Sequence, residues 1–179
     1  MKKFHTEEEV LANYDSSKYQ TPDGYTADIA IFTITSEKIE EKAPPHMTLK
    51  IMLIKRAAKD PEGNPNIEGG KWALPGGFVD AVQKETAYIA ARRELKEETN
   101  VEGLHVQHFG VYDEINRDPR GWMISNAFYA IVPETYIEQR QANDDADDVQ
   151  LFDIENVFTL QLAFDHRRII TDALEFIKR

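Results

Sequence analysis

The sequence contains no cysteine, only two tryptophans, a shortage of basic residues and no long apolar run, and each absence narrows what the chain can be. Without cysteine there is no disulfide framework, no thiolate nucleophile and no zinc site built on thiolates; sites made of His and carboxylates stay open. The 21 Lys and Arg residues stand against 32 Asp and Glu, a formal charge of -11, which repels nucleic acid over most of the surface. No stretch approaches the roughly 20 apolar residues of a membrane span, and the opening MKKFHTEEEV lacks the apolar centre of a signal peptide. The expectation is a cytoplasmic protein without a membrane partner and with nucleic acid disfavoured. The 179 residues fit one compact domain, or one domain with an appendage, and show no internal repeat or low-complexity tract.

What is present is an ordered series of periodic segments. Thr6 precedes Glu9 at capping-box spacing, which predicts a short helix inside an amino-terminal arm, residues 1–24. Residues 25–35 and 49–57 are rich in β-branched and apolar side chains and predict two strands of a hairpin, separated by a charged loop with a proline pair. Residues 58–70 are loop chemistry, after which KWALPGGFVD carries a short apolar segment into a Pro-Gly-Gly turn. A helix is expected from Lys84 to Thr99, with Asn100 as its left-handed terminator. Strands are predicted within 104–115, 122–133 and 149–154. Ile169, Ile170, Ala173, Leu174 and Ile177 fall on helical spacing, so an amphipathic helix closes the chain. Neighbouring strands with one central and one terminal helix imply an α+β domain over 25–179, a mixed sheet covered by helices.

The helix ending in RRELKEETN places Glu94, Glu97 and Glu98 at its carbonyl end, where the dipole disfavours negative charge and the three carboxylates repel one another. At 100° per residue they share a face with Ala87, Ala90 and Ala91, while Arg92, Lys96 and Glu85 lie roughly opposite, on the wet side. Small residues beside an acidic cluster imply close approach to the rest of the fold and a missing cation. Clustered carboxylates are hard oxygen ligands suited to Mg2+ or Mn2+.

The segment GGFVDAVQKETAYIAARRELKEETNV, residues 76–101, resembles the Nudix box at Glu85, Arg93, Glu94, Leu95, Glu97, Glu98 and Val101. It departs twice: seven residues rather than five separate Gly77 from Glu85, and Asn100 stands where the family has Gly. The resemblance implies a Nudix fold, an α/β/α sandwich with the catalytic helix and a carboxy-terminal helix packed on the mixed sheet. It implies metal-dependent hydrolysis of a nucleoside diphosphate derivative, with Glu94, Glu97, Glu98 and the Gly76 carbonyl as metal ligands and an Arg93–Glu85 ion pair orienting helix and loop. The flanking stretches GGKWALPGGFVD, NRDPRGWMISNAFYAIVP and LQLAFDHRRIITDALEFIKR are similar to the branch of ADP-ribose pyrophosphatases and their repressor relatives in NAD metabolism. That similarity implies cleavage of ADP-ribose to AMP and ribose 5-phosphate, and a homodimer.

Several further residues are candidates. Arg56, Arg117, Asp118 and Arg120 are placed for substrate contact because guanidinium forks bind oxyanions; a solvated turn is the plain alternative for the RDPRG group. Trp72 is either a base-stacking platform or a core residue. In the run NDDADD, Asp148, Asp144 or Asp145 is the candidate general base by analogy with related pyrophosphatases. His166 is expected to cap or pack rather than ligate. The alternative function is a ligand-sensing repressor; relatives of that kind carry a winged-helix domain after the closing helix, and this sequence ends at Arg179.

Overall fold

The computed structural model describes residues 3, 5–15, 17, 21–39, 43–141 and 149–179. Strand β1 (Gly24–Glu37) is its axis: Thr26 through Thr33 are all buried, so the β-branched run predicted from the sequence is covered on both faces. β2 (His46–Lys55) pairs with it antiparallel from Glu37↔His46 to Ile31↔Met52, the expected hairpin. Past that pair β1 and β2 diverge, and the chain from 72 to 78 fills the wedge. β3 (Trp72–Ala73) pairs β2 and β4 (Gly76–Phe78) pairs β1.

The Pro-Gly-Gly stretch, expected as a turn, is therefore partly strand. The reason is steric: a Cβ on Gly76 would press on the Ala27 carbonyl and lie 2.8 Å from the Asp28 Cα, so glycine lets this short strand sit tight against β1.

On the other side of β1, β6 (Met123–Pro133) runs parallel over Gly24↔Met123 to Ile34↔Pro133, and β5 (Gln107–Tyr112) pairs β6 antiparallel with a bulge between His108 and Gly110. β7 (Val149–Asp153) pairs β2 antiparallel. The sheet is thus mixed, in the order β3-β2-β1-β6-β5, with β4 and β7 attached to β1 and β2.

Helix α1 (Glu7–Ala12) opens as predicted: Thr6 Oγ1 accepts Glu9 N–H at 3.2 Å, and Glu9 reaches back to His5 N–H at 2.7 Å. Helix α2 (Ala87–Thr99) starts three residues later than expected. Lys84 has φ 55, and Asp80 organises a tight loop by accepting Gln83 N–H (3.0 Å) and Glu85 N–H (2.9 Å), which leaves Thr86 as the cap. At its end Asn100 adopts φ 54 and donates to Lys96 O at 2.9 Å, the predicted left-handed stop. Helices α3 (Glu134–Gln141) and α4 (Ile154–Val157) follow directly on strands and carry too little periodicity to be read from sequence. Helix α5 (His166–Ile177) buries Ile169, Ile170, Ala173 and Leu174, as its pattern requires.

Two cores result, one on each face of the sheet. Ala90, Ala91 and Leu95 of α2 pack on Ile29, Ile31 and Phe128, whereas Ile169, Ile170 and Leu174 of α5 pack on Phe32, Ile51 and Leu53. Each fully buried large side chain contributes about 1.5 to 3 kcal/mol, and together they fix α2 and α5 on opposite faces of the wedge between β1 and β2.

Candidate metal and diphosphate site

Arg93 gathers the acidic end of α2. Its Nε and Nη2 donate to the two oxygens of Glu85 at 2.9 Å each, Nη1 to Glu94 at 2.7 Å and Glu97 at 3.0 Å, and Nη2 also to the Phe78 carbonyl at 3.0 Å. Bonds from Glu85, then Glu94, hold the Arg93 guanidinium protonated far above its ordinary range, and Arg93 in turn lowers the Glu85 carboxyl. Glu85 is therefore not on a wet helix face. It lies before the helix, turned inward with its side chain 7% exposed. Arg92 and Lys96 are exposed, as expected.

The acidic face is also split. Glu94 is mostly buried and Glu98 largely so, but the Glu97 side chain is 58% exposed. A Cβ on Gly77 would collide with the Glu94 carboxylate, so that glycine lets the carboxylate lie directly against β4.

Glu98 accepts Gly76 N–H at 2.8 Å. The pairing explains why this donor is free: Pro75 O takes Ile29 N–H at 2.9 Å and Gly77 faces Ala27, so the peptide groups of Gly76 turn away from β1. Burial pushes the Glu98 carboxyl up to about 8, and Glu94 and Asp28 add to the rise against the opposing pull of the Gly76 bond and of Arg56. This buried acid has too little positive charge around it.

Among the described residues no three His, Asp or Glu side chains converge as a ready metal cage. Arg93 draws Glu94 and Glu97 together and Glu98 turns to Gly76. The donor set nevertheless fits a hard divalent cation, since every donor is oxygen and the buried Glu98 is short of countercharge.

Beside this cluster the wedge encloses a cavity of about 50 Å³ whose lining includes Asp28, Gly76, Arg56, Arg120, Phe164 and His166. Two guanidinium groups and two aromatic rings meet there. Arg56 and Arg120 each lie 4.9 Å from the centre of the Phe164 ring, and Arg120 also lies 5.2 Å from that of Phe78. Arg120 is held by Asp118, 5% exposed, with bonds of 2.7 to 3.2 Å. Burial would raise the Asp118 carboxyl, but the Arg120 bonds outweigh it and leave it below the usual range. Burial, then Arg120, lowers the Arg56 guanidinium, whose Nη2 donates to Ile67 O at 3.0 Å.

Arg117 also borders the cavity, yet its fork is spent on Asp165 at 2.5 and 2.8 Å with the side chain 4% exposed, so it is neither a solvated turn residue nor a free cation. Trp72 is placed in the core, edge-on to Phe152 at 4.7 Å, and does not line the cavity. His166 is the first residue of α5, 4% exposed, and accepts Leu74 N–H at Nδ1 (2.9 Å); burial lowers its pKa. Asp144, Asp145 and Asp148 lie outside the described residues.

Asp28, Phe78 and Phe164 were not read as site residues. A signal existed for Asp28, a single acid inside an otherwise apolar strand, and such a group is buried only with a purpose. Nothing local marked Phe164.

A mixed sheet between two helix layers, with an acidic box helix against a Gly-Gly strand, defines a class: the NUDIX domain model matches residues 26–173, and the chain belongs to this family. It is 49% identical to a mutT/nudix family protein from Listeria innocua, with a TM-score of 0.75 over 89% of this chain and 96% of that one. It is 40% identical over 127 residues to an ADP-ribose pyrophosphatase of Methanocaldococcus jannaschii, covering 71% of this chain and 67% of that protein. It is 31% identical over 171 residues to the ADPR responsive transcriptional repressor NtrR of Acinetobacter baylyi; the match takes in 95% of this chain but spans only 60% of the repressor's length.

Proposed function

We propose that the chain is a Nudix hydrolase that cleaves the diphosphate of ADP-ribose, or of a similar nucleoside diphosphate derivative, to AMP and a sugar phosphate with Mg2+ or Mn2+ as cofactor. The observation that carries this reading is the pair of box carboxylates laid against the Gly-Gly strand, Glu98 on Gly76 N–H and Glu94 against Gly77, in a family whose member from M. jannaschii is named an ADP-ribose pyrophosphatase. Glu94, Glu97, Glu98 and the Gly76 carbonyl would hold the cation. When bound, a divalent cation neutralises diphosphate oxygens and lowers the pKa of a coordinated water.

The chain's own residues do the positioning. Arg93 binds Glu85 and the Phe78 carbonyl together, locking the box helix to β4 and keeping Glu94 and Glu97 adjacent. Arg56 and Arg120 line the cavity and would supply positive charge toward the diphosphate, with Arg120 held in place by its pair with Asp118 and Arg56 by its bond to Ile67 O. In this reading the protein works as a cytoplasmic homodimer; among the described residues no helix is long and apolar enough to cross a membrane. Light scattering tests the dimer.

The deciding experiment incubates purified protein and Mg2+ with ADP-ribose, other ADP-sugars and dinucleotides and follows AMP by chromatography. ADP-ribose is expected to give the highest kcat/KM, and no turnover of any ADP-sugar would overturn the reading. A second reading, a ligand-sensing regulator, is favoured by the repressor match across 95% of the chain. It calls for ADP-ribose binding without AMP release, together with a low-salt gel shift on operator-sized DNA.

A further inference from the structure

The stretch before α5 runs beside β3 as a single rung of parallel ladder. Trp72 N–H donates to Gln161 O at 2.9 Å and Ala163 N–H to Trp72 O at 2.8 Å, with Trp72 bridged to Leu162. In a parallel ladder the next rung runs from Leu74 N–H to Ala163 O. That rung does not form: the Ala163 carbonyl instead accepts His166 N–H at 3.1 Å as the chain turns into the helix. The turn is made at Phe164, whose φ of 50 is rare for a bulky aromatic, and whose N–H donates to Glu68 at 3.3 Å.

A side chain restores the lost rung. Leu74 N–H, on a residue only 1% exposed, donates to His166 Nδ1 at 2.9 Å. A buried amide without an acceptor would cost about 1 to 3 kcal/mol, so the imidazole is a needed partner. Because a peptide N–H can only donate, Nδ1 must carry the lone pair and Nε2 the proton in the neutral ring. Nε2 faces Asp28 at 3.7 Å, and the other oxygen of Asp28 accepts the Ser125 hydroxyl. The Leu74 bond therefore orients the ring, and Asp28, itself tied to β6, is an acidic neighbour of Nε2 beyond hydrogen-bond distance.

Beyond Leu74 the contacts alternate: Pro75 O bonds Ile29, and Gly76 N–H bonds Glu98. The strand that approaches the acidic helix is therefore held by α5 through Leu74, by β1 through Pro75 and by α2 through Gly76. We propose that His166 is a positioning residue of the metal site: its Nδ1 replaces a missing backbone acceptor and so sets where Gly76 lies against Glu98. This rests on the reading that Gly76 and Glu98 hold the cation. His166 belongs to α5, far in sequence from the box, and touches no reacting group.

The test compares two substitutions of similar polarity. His166→Asn places an amide oxygen near the position of Nδ1, while His166→Gln places it near that of Nε2. Mn2+ alone is titrated calorimetrically into the metal-free wild type and both variants, with circular dichroism to establish folding and amide exchange read at Leu74 and Gly76. His166→Asn is expected to bind Mn2+ within about threefold of wild type, whereas His166→Gln binds roughly 10- to 100-fold more weakly, the range typical of groups that orient metal ligands. Leu74 and Gly76 should exchange faster in His166→Gln alone. Equal Mn2+ affinities in the two folded variants would overturn the inference. Failure of the wild type itself to take up Mn2+ would instead remove the metal reading, and this inference with it.

Discussion

Glu98→Gln removes one charge from the buried cluster and keeps the geometry, because the amide oxygen can still accept Gly76 N–H. In the metal-free wild type the folded Glu98 carboxyl titrates near 8 against an ordinary 4.5, so between those values the folded protein holds a proton that the unfolded chain has released. Raising the pH through this window therefore favours unfolding: the stabilisation is complete below the unfolded value and is lost as the pH passes 8. At about 1.4 kcal/mol per pH unit, the full contribution is on the order of 5 kcal/mol, most of it falling between pH 5 and 9. The variant lacks this group and should lose the alkaline destabilisation that it causes. Equilibrium urea unfolding in EDTA at about pH 5, 7 and 9 measures it. The two proteins should be similarly stable at the acid end and separate by roughly 3 to 4 kcal/mol, in favour of the variant, at the alkaline end. Adding Mg2+ at about a hundredfold excess over Kd should narrow the gap by lifting the wild type about 2.7 kcal/mol. Identical pH slopes for the two proteins in EDTA would refute the reasoning, since Glu98 would then not be the strained acid described.

Arg117→Met strips the nearly buried Asp165 of its partner and should cost about 3 to 5 kcal/mol in urea unfolding; a raised KM with unchanged stability would instead mark Arg117 as a substrate contact. Asn100→Gly relieves a non-glycine residue at φ 54 and should raise stability by about 0.5 kcal/mol in thermal denaturation without changing activity.

The parts of the fold with a strong local pattern were legible from the sequence. The run from Tyr25 to Thr35 is the central strand, Thr6 and Asn100 cap as their chemistry demands, and the apolar stripe of α5 faces the sheet. The ion pair of Arg93 with Glu85 also followed from spacing within a family resemblance. What could not be read depended on contacts distant in sequence. Gly76 and Gly77 carry turn chemistry, and only the splaying of β1 from β2 makes them a strand. Arg117 resembles its neighbour Arg120 in the turn, but one is spent on Asp165, 48 positions away, and the other on Asp118. Helical spacing grouped Glu97 with Glu98; β4 covers Glu98 and leaves Glu97 in solvent.

The cation–ring contacts of Arg56 and Arg120 with Phe164 and Phe78 have a kinetic meaning. They leave about 50 Å³, whereas sites for nucleotide-sized molecules run to roughly 300 to 1,000 Å³. On the proposed function, a nucleotide would have to part these rings and forks before seating, and its uptake would be limited by side-chain rearrangement rather than by diffusion. Rapid-mixing traces should then level off as nucleotide concentration increases, and molecules fitted rigidly to this closed form would miss whatever space binding opens.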